Sequence, residues 1–149
     1  MSQPITVPPG TTIRLDEFDP GYADDVKGKK EARKELTANT RTLADLGYRL
    51  YAENRRALLL VLQGMDTAGK DGTIRHVMRG FNPQSCRVKS FKQPSIEELD
   101  HDFLWRISRA LPPKGDVGIF NRSHYEDVLV VRVHNLVPKS EWQTRYDRI

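Results

Sequence analysis

An unbroken apolar run that leads into a glycine-rich turn constrains the fold of this chain more than any other stretch. Residues Ala57–Leu62 are all apolar, and the next turn has the spacing Gly64-x-x-x-x-Gly69-Lys70 before a helical pattern over 71–78. A short apolar run bounded by glycine predicts a strand buried on both faces of a parallel sheet. The turn predicts a phosphate-binding loop, because backbone N–H groups, a helix N-terminus and a lysine can converge on one anion.

The residue after the lysine departs from the usual phosphate-loop pattern. That position normally holds a Ser or Thr whose hydroxyl binds Mg²⁺, whereas here it is Asp71. Thr73 lies about 200° further round a helix, so it cannot simply replace that residue. An ordinary glycine turn between a strand and a helix, with a chance lysine, is therefore the alternative interpretation.

Length and composition predict one globular domain with an extended N-terminal arm. The chain has 149 residues, of which 38% are hydrophobic and 30% charged, as is typical of a folded domain. Residues 1–27 are rich in proline and show no sustained period, which predicts an arm with a turn at Asp19–Gly21, and 28–149 are expected to form the core. Without a long apolar run, a signal sequence or a cysteine besides Cys86, we expect a cytoplasmic protein with no membrane partner.

The rest of the chain alternates between helical and strand patterns. They predict an amphipathic helix over Lys29–Asn54, a strand over Arg87–Phe91, a capped helix over Ser95–Ala110 and a strand over Val117–Phe120. The predicted helix over Ser95–Ala110 is expected to bury five side chains, Ile96, Leu99, Phe103, Ile107 and Ala110. Such alternation predicts an α/β fold with a parallel sheet.

Two polar clusters far apart in the sequence are predicted to form one site. Ligands of open α/β sheets bind beyond the carboxyl ends of the strands. The first and third predicted strands end in Gln63–Lys70 and Asn121–Asp127, so we expect these clusters to converge. Six cations and one anion lie between Lys70 and Lys92, which points to a polyanionic ligand. Charge alone, however, favours a solvated basic helix face over such a ligand.

Two long motifs resemble the polyphosphate kinase 2 family. They are GMDTAGKDGT at 64–73 and IFNRSHYEDVLVVRV at 119–133, and the likeness extends from about residue 13 onward. The resemblance implies the three-layer α/β/α sandwich of P-loop kinases and Mg²⁺-dependent transfer between inorganic polyphosphate and the adenine nucleotides AMP and ADP. We also expect a homo-oligomer. The family continues well beyond residue 149, so the chain is expected to lack the C-terminal part of the fold and to have little activity alone.

The resemblance also assigns roles to individual residues. Asp66, Lys70 and Arg122 match catalytic positions, and Asp66 is expected to hold Mg²⁺, with a turn hydrogen bond as its alternative role. Asn121 stands where many members have aspartate, which weakens that metal ligand, so Glu126 or Asp127 is expected to compensate. The other predicted phosphate-binding residues are Gly64, Met65, Thr67, Ala68, Gly69, Asp71, Gly72, Thr73, Lys89 and Lys92.

The sequence leaves three functions open. The first is a polyphosphate-dependent nucleotide kinase, the second an ATP-dependent kinase or NTPase with the same loop, and the third an inactive polyphosphate-binding module. Trp105, Phe91 and Tyr125 could stack on a nucleobase, but packing is the simpler role for each. No recognised nucleic-acid module occurs in the sequence, so we expect no nucleic-acid partner.

Overall fold

The computed structural model describes residues 5–22 and 28–149, and its contacts divide the chain into a unit over 1–38 and a unit over 39–149. In the first unit, Leu15–Glu17 form a short 3-10 helix, and Asp19 Oδ1 accepts a hydrogen bond from the Gly21 N–H at 2.8 Å. The predicted turn at Asp19–Gly21 is therefore confirmed. Residues 1–4 and 23–27 of the predicted arm lie outside the described residues, and the boundary between arm and core stays a prediction.

Helices and strands alternate along the chain, which confirms the predicted α/β class. The elements are α1 (Lys29–Glu53), β1 (Leu58–Leu62), α2 (Lys70–Val77), β2 (Cys86–Ser90), α3 (Ile96–Leu99), α4 (Trp105–Ala110), β3 (Val117–Asn121), α5 (Glu126–Val133) and α6 (Lys139–Arg148). A 3-10 turn over Met78–Gly80 extends α2. Among the described helices, none combines the length and apolar character needed to cross a bilayer.

The three strands form a parallel sheet with β3 in the middle. Ile119 of β3 pairs with Leu60 of β1 on one side and with Val88 of β2 on the other. All residues of β3 except the last are buried, whereas Leu58 and Val61 of β1 are 44% and 36% exposed. The prediction that β1 is buried on both faces is wrong, because β1 is an outer strand of this sheet.

Helices cover both faces of the sheet. On one face, Ile119 packs with Phe81 and with partly buried side chains of α1 and α2. On the other face, Phe120 packs against Ile107 of α4 and contacts Phe91 edge to face, with ring centroids 4.8 Å apart. The predicted three-layer α/β/α sandwich is confirmed.

The helix predicted over residues 95–110 is interrupted. Its start is confirmed, since Ser95 and Glu98 form a reciprocal capping box. The helix ends at Leu99, and further on the Asp102 carboxylate accepts a hydrogen bond from the Leu104 N–H at 3.1 Å. A side chain that binds nearby backbone in this way competes with continued helix.

This interruption changes which side chains are buried. Ile107 is buried, and Phe103 and Ala110 are partly buried, as predicted. Ile96 and Leu99 are 82% and 68% exposed, so the prediction is wrong for these two residues. A single apolar stripe no longer runs from α3 to α4, and α3 therefore contributes little to the core.

Candidate active site

The turn between β1 and α2 folds around the amino group of Lys70. The Lys70 Nζ donates hydrogen bonds to the carbonyl oxygens of Gly64 at 2.8 Å and Met65 at 2.7 Å. Two residues of the turn have left-handed backbone, Gly69 with φ +84° and Thr67 with φ +66°. Glycine adopts this conformation freely, whereas a Thr is strained by about 1 kcal/mol or more. Strain at a non-glycine residue is typical of functional loops.

A cavity of about 650 Å³ opens over this turn and the first residues of α2. It is lined by residues 66–72 and by Lys92, Asn121 and Arg122. The first N–H groups of α2 have no intrahelical acceptor, and they carry the partial positive charge of the helix N-terminus. The Thr73 hydroxyl donates to the Gly69 carbonyl oxygen at 3.1 Å and does not line this cavity. We call this space the loop cavity.

Arg122 follows β3 and reaches across to the loop. Its backbone is left-handed, with φ +64°, and its N–H donates to the Leu62 carbonyl oxygen at 2.9 Å. Its guanidinium forms ion pairs with Asp66 at 2.5 Å and with Glu126 at 3.4 Å. All three predicted catalytic residues, Asp66, Lys70 and Arg122, therefore line the loop cavity.

Further hydrogen bonds join the two polar clusters. The Gln63 side-chain N–H donates to Glu126 Oε1 at 2.6 Å, and the hydroxyl of the buried Ser123 donates to Gln63 Oε1 at 3.2 Å. Asn121 Nδ2 donates to Asp71 Oδ1 at 2.6 Å. The convergence predicted for residues 63–70 and 121–127 is confirmed. Sequence reasoning assigned no individual role to Gln63 or Ser123, although both belong to the polar clusters that were predicted to converge.

A buried ion pair lies on the other side of the segment 121–127. Arg106 of α4 is 6% exposed, and its Nη2 donates to Asp127 Oδ2 at 2.9 Å. The same guanidinium donates to the Lys92 carbonyl oxygen at 2.9 Å and lies 3.6 Å from Glu98. The sequence offers both Glu126 and Asp127 as metal ligands, but their carboxylates have different partners, Arg122 for Glu126 and Arg106 for Asp127.

The two predicted phosphate-binding lysines, Lys89 within β2 and Lys92 just after it, differ in position. Lys92 lines the loop cavity, and no ion pair involves its side chain within the described part of the chain. Lys89 is not among the residues that line this cavity, and its Nζ lies 5.9 Å from the ring centroid of Phe91. Only Lys92 is therefore at the site.

Comparison with known proteins identifies the family of this chain. The family model for Polyphosphate kinase 2 (PPK2) matches residues 26–149. The chain belongs to the polyphosphate kinase 2 family.

Individual relatives agree with the family match. The chain is 50% identical to the ADP-polyphosphate phosphotransferase of Rhodopseudomonas palustris, covering 89% of this chain and 49% of the relative. It is 51% identical to the AMP/ADP-polyphosphate phosphotransferase of Meiothermus ruber, covering 96% of this chain and 54% of the relative. The crystal structure of Polyphosphate Kinase 2 from Arthrobacter aurescens TC1 matches with a TM-score of 0.86 at 41% identity, over 95% of this chain and 51% of that one. The chain thus spans about half the length of these relatives, and the predicted P-loop kinase-like fold is confirmed.

The oxygen donors at the candidate site suit a divalent metal ion. Within residues 5–22 and 28–149, no three His, Cys, Asp or Glu side chains form a ready metal cluster. Asp66 offers an exposed carboxylate, whereas both carboxylate oxygens of Glu126 already have partners, Gln63 and Arg122. Asn121 gives its amide N–H to Asp71, so its carbonyl oxygen is left for another partner. Mg²⁺ commonly uses one or two carboxylates together with substrate phosphates and waters. The donor set therefore fits this ion.

The aromatic side chains named above are engaged within the protein. Phe91 is buried, at 2% exposure. The Trp105 ring stacks on His101, with centroids 4.0 Å apart, and lies 4.8 Å from the guanidinium of Arg109. Tyr125 contacts the ring of the neighbouring His124. Packing therefore accounts for Phe91 and Trp105, whereas Tyr125 is 40% exposed and its role stays a prediction.

A second cavity, of about 860 Å³, adjoins the loop cavity and shares Asp66, Lys92 and Arg122 with it. Part of its wall comes from α6, whose Arg145 and Arg148 each lie 5.0 Å from the ring centroid of Phe103. No sequence pattern singles out either arginine, because α6 follows no strand and carries no motif.

Proposed function

We propose that the protein is a polyphosphate-dependent nucleotide kinase, which transfers a phosphoryl group between inorganic polyphosphate and AMP or ADP. The observation that carries this proposal is the convergence of Lys70, Arg122 and the N-terminus of α2 on one cavity, in a chain of the polyphosphate kinase 2 family. The names of the two relatives, ADP- and AMP/ADP-polyphosphate phosphotransferase, favour these substrates. Because the chain spans about half of each relative, both the activity and the substrates are proposals for this protein.

The mechanism follows from the charges of the loop cavity. Phosphoryl transfer depends mainly on positioning the reactants and on neutralising charge. Lys70 and the N–H groups of the loop would hold the phosphoryl group, and Arg122 would offset the charge that develops on its oxygens. An acceptor phosphate is already ionised near neutral pH, so the site needs no general base. The loop residues in this role that line the cavity are Thr67, Ala68, Gly69, Asp71 and Gly72. Gly64 and Met65 do not line it, and their carbonyl oxygens would instead hold the Lys70 ammonium in place.

We propose Mg²⁺ as the cofactor. Asp66 would be its main ligand, and the carbonyl oxygen of Asn121 and the carboxylate of Glu126, which Gln63 and Arg122 already bind, would be weaker ones. When bound, the ion would supply positive charge to the phosphate oxygens. Asp127 is the poorer candidate, because its carboxylate is paired with the buried Arg106.

We also propose that the protein forms a homo-oligomer in the cytoplasm. On α1, the side chains of Leu46, Tyr48 and Tyr51 are more than half exposed, and a second copy could cover them. AMP and ADP are cytoplasmic metabolites, and the single thiol, Cys86, is free. Light scattering of the purified protein tests the oligomer, which a monomeric mass would exclude.

A coupled assay tests the proposed function. The purified natural full-length protein is incubated with Mg²⁺, ADP and inorganic polyphosphate in the absence of ATP. We expect ATP to form, and we expect Lys70→Ala to reduce its rate by at least about 100-fold. Lys89→Ala is the matched control, because Lys89 lies outside the loop cavity.

The other outcomes identify the competing functions. ATP hydrolysis without ATP formation from polyphosphate would favour an ATP-dependent kinase or NTPase. Polyphosphate binding without turnover, weakened by Lys70→Ala, would favour an inactive binding module. Full activity of Lys70→Ala would contradict the assignment of the loop.

A further inference from the structure

Arg106 connects the segment after β2 with the first turn of α5. Nη1 donates to the main-chain carbonyl of Lys92, and Nη2 donates to the carboxylate of Asp127, each at 2.9 Å. The guanidinium also lies 5.5 Å from the ring centroid of Phe91. The side chains of Arg106 and Asp127 are only 5% and 10% exposed. These contacts therefore operate inside the protein, away from bulk water.

Stability alone does not explain an arginine at this position. A buried ion pair loses much of its attraction to desolvation, and apolar side chains of similar volume often stabilise a fold equally well. The guanidinium differs from an apolar group because its planar fork holds several donors in fixed directions. At Arg106 one N–H donates to the carboxylate of Asp127 and another donates to the main-chain carbonyl of Lys92. The guanidinium therefore fixes the position of the segment after β2 relative to the first turn of α5.

Both segments that Arg106 joins carry groups of the proposed active site. The side chain of Lys92 lines the loop cavity and the second cavity. Asp127 follows Glu126, which pairs with Arg122. A displacement of the segment after β2 relative to α5 would therefore change the position of Lys92 relative to Arg122, the other cation that lines both cavities.

We propose that Arg106 is a positioning residue, which fixes Lys92 relative to the first turn of α5 so that the site binds inorganic polyphosphate. This proposal rests on the proposed function. Arg106 is nearly inaccessible to solvent and acts through Lys92, not by contact with the substrate.

A double-mutant cycle on polyphosphate binding tests this role. Arg106→Lys keeps a positive charge beside Asp127 but cannot reproduce the fixed fork. We expect Arg106→Lys and Lys92→Ala each to raise the dissociation constant for inorganic polyphosphate by roughly five- to tenfold. The double variant should bind about as weakly as Lys92→Ala, because it has no lysine left to position. Arg109→Lys, the same substitution on the exposed side of α4, is the matched control and should bind like the wild type.

A second variant keeps the test decisive if Arg106→Lys does not fold. Pro94→Gly loosens the same segment while Arg106 stays in place, and it should also lose its effect on binding in the Lys92→Ala background.

Additive losses in either cycle would overturn the proposal and indicate a general structural role. Unchanged binding by folded Arg106→Lys would overturn it as well. A wild-type chain that does not bind polyphosphate would instead refute the proposed function, and this inference with it.

Discussion

Two Arg–Asp ion pairs lie at the carboxyl end of the sheet, and they differ in their exposure to solvent. In the pair Asp66–Arg122, 83% of the Asp side chain and 36% of the Arg side chain are exposed. In the pair Asp127–Arg106, the corresponding values are 10% and 5%. An exposed pair contributes about 0–1 kcal/mol to stability, whereas removing one partner of a buried pair costs about 3–5 kcal/mol. The charged groups of the exposed pair can therefore separate and bind a ligand instead, whereas the buried pair stays paired as part of the folded core.

Neighbouring residues of α5 are divided between these two pairs. Glu126 contacts Arg122 of the exposed pair, and Asp127 contacts Arg106 of the buried pair. Successive residues of a helix point about 100° apart, so adjacent carboxylates face different surroundings. Glu126 and Asp127 therefore have different partners, although they are adjacent in the sequence and both carry a carboxylate.

The largest expected effect is on stability, in Arg106→Met. This change leaves the Asp127 carboxylate buried without its cation, and we expect the free energy of unfolding to fall by about 3–5 kcal/mol in a denaturant titration. Arg122→Met is the matched control in the exposed pair, and we expect a clearly smaller loss there, because Asp66 is exposed and Glu126 keeps its hydrogen bond from Gln63. Replacing Asp127 by Leu in the Arg106→Met background should recover part of the loss. Equal effects of the two Arg→Met changes would contradict the distinction between the pairs.

The next effect is on catalysis, in Arg122→Met. We expect phosphoryl transfer to slow by about 10²–10³-fold, because a cation that meets the developing charge is lost, while the denaturation midpoint changes little. The assay is ATP formation from ADP and polyphosphate, with circular dichroism to confirm folding. A rate loss that merely follows a loss of folded protein would show that the exposed pair is also structural.

A smaller effect is expected on the binding of a divalent ion. Arg122 competes for Asp66, so Arg122→Met should bind Mn²⁺, used as a paramagnetic probe, several-fold more tightly in an electron paramagnetic resonance titration. Arg109→Met removes one positive charge elsewhere and serves as the control. Asp66→Asn should weaken binding. If Arg122→Met and its control have the same affinity, Asp66 is not the residue for which metal and arginine compete.

The smallest effect concerns a second exposed pair, Asp102–Arg148, which links the α3–α4 turn to the end of α6 at 2.7 Å. The hydrogen bond from Arg148 lowers the pKa of Asp102 in the folded protein. This pair therefore stabilises the fold above the ordinary Asp pKa of about 3.9, and the contribution is lost as the pH falls through the folded-state pKa.

Unfolding measurements on Asp102→Asn test this dependence. The unfolding free energies of Asp102→Asn and the wild type should differ by a constant amount between about pH 7 and pH 4. Below about pH 4 this difference should disappear. Asp100→Asn, at a residue that forms no ion pair in the described chain, is the control. A difference that persists at the lowest pH would exclude the ion pair as its cause.

Much of the proposed site could be predicted because its parts are local. The spacing from Gly64 to Lys70 predicts a tight loop, since a turn and a helix start depend on residues a few positions apart. The polar residues after the strands predict one shared edge, because parallel strands end on the same side of a sheet. The capping box at Ser95 is equally local, and the structure contains it.

The predictions that were wrong depend on contacts between distant residues. The apolar run of β1 is compatible with either a central or an outer strand, and only the pairing of β1 and β2 with β3 makes it an outer one. The same reason applies to Ile96 and Leu99, whose exposure follows from the interruption after α3.

The sequence alone determined which segments of this protein form the loop, the strands and the polar ends of the strands, because hydrophobic period and turn chemistry act over a few residues. Tertiary structure decided the strand order and the partner of each charge. Asp127 pairs with an arginine 21 residues away, and Gln63 binds a carboxylate 63 residues away. Such choices depend on which surfaces exclude water once the chain has folded, and no local pattern contains that information.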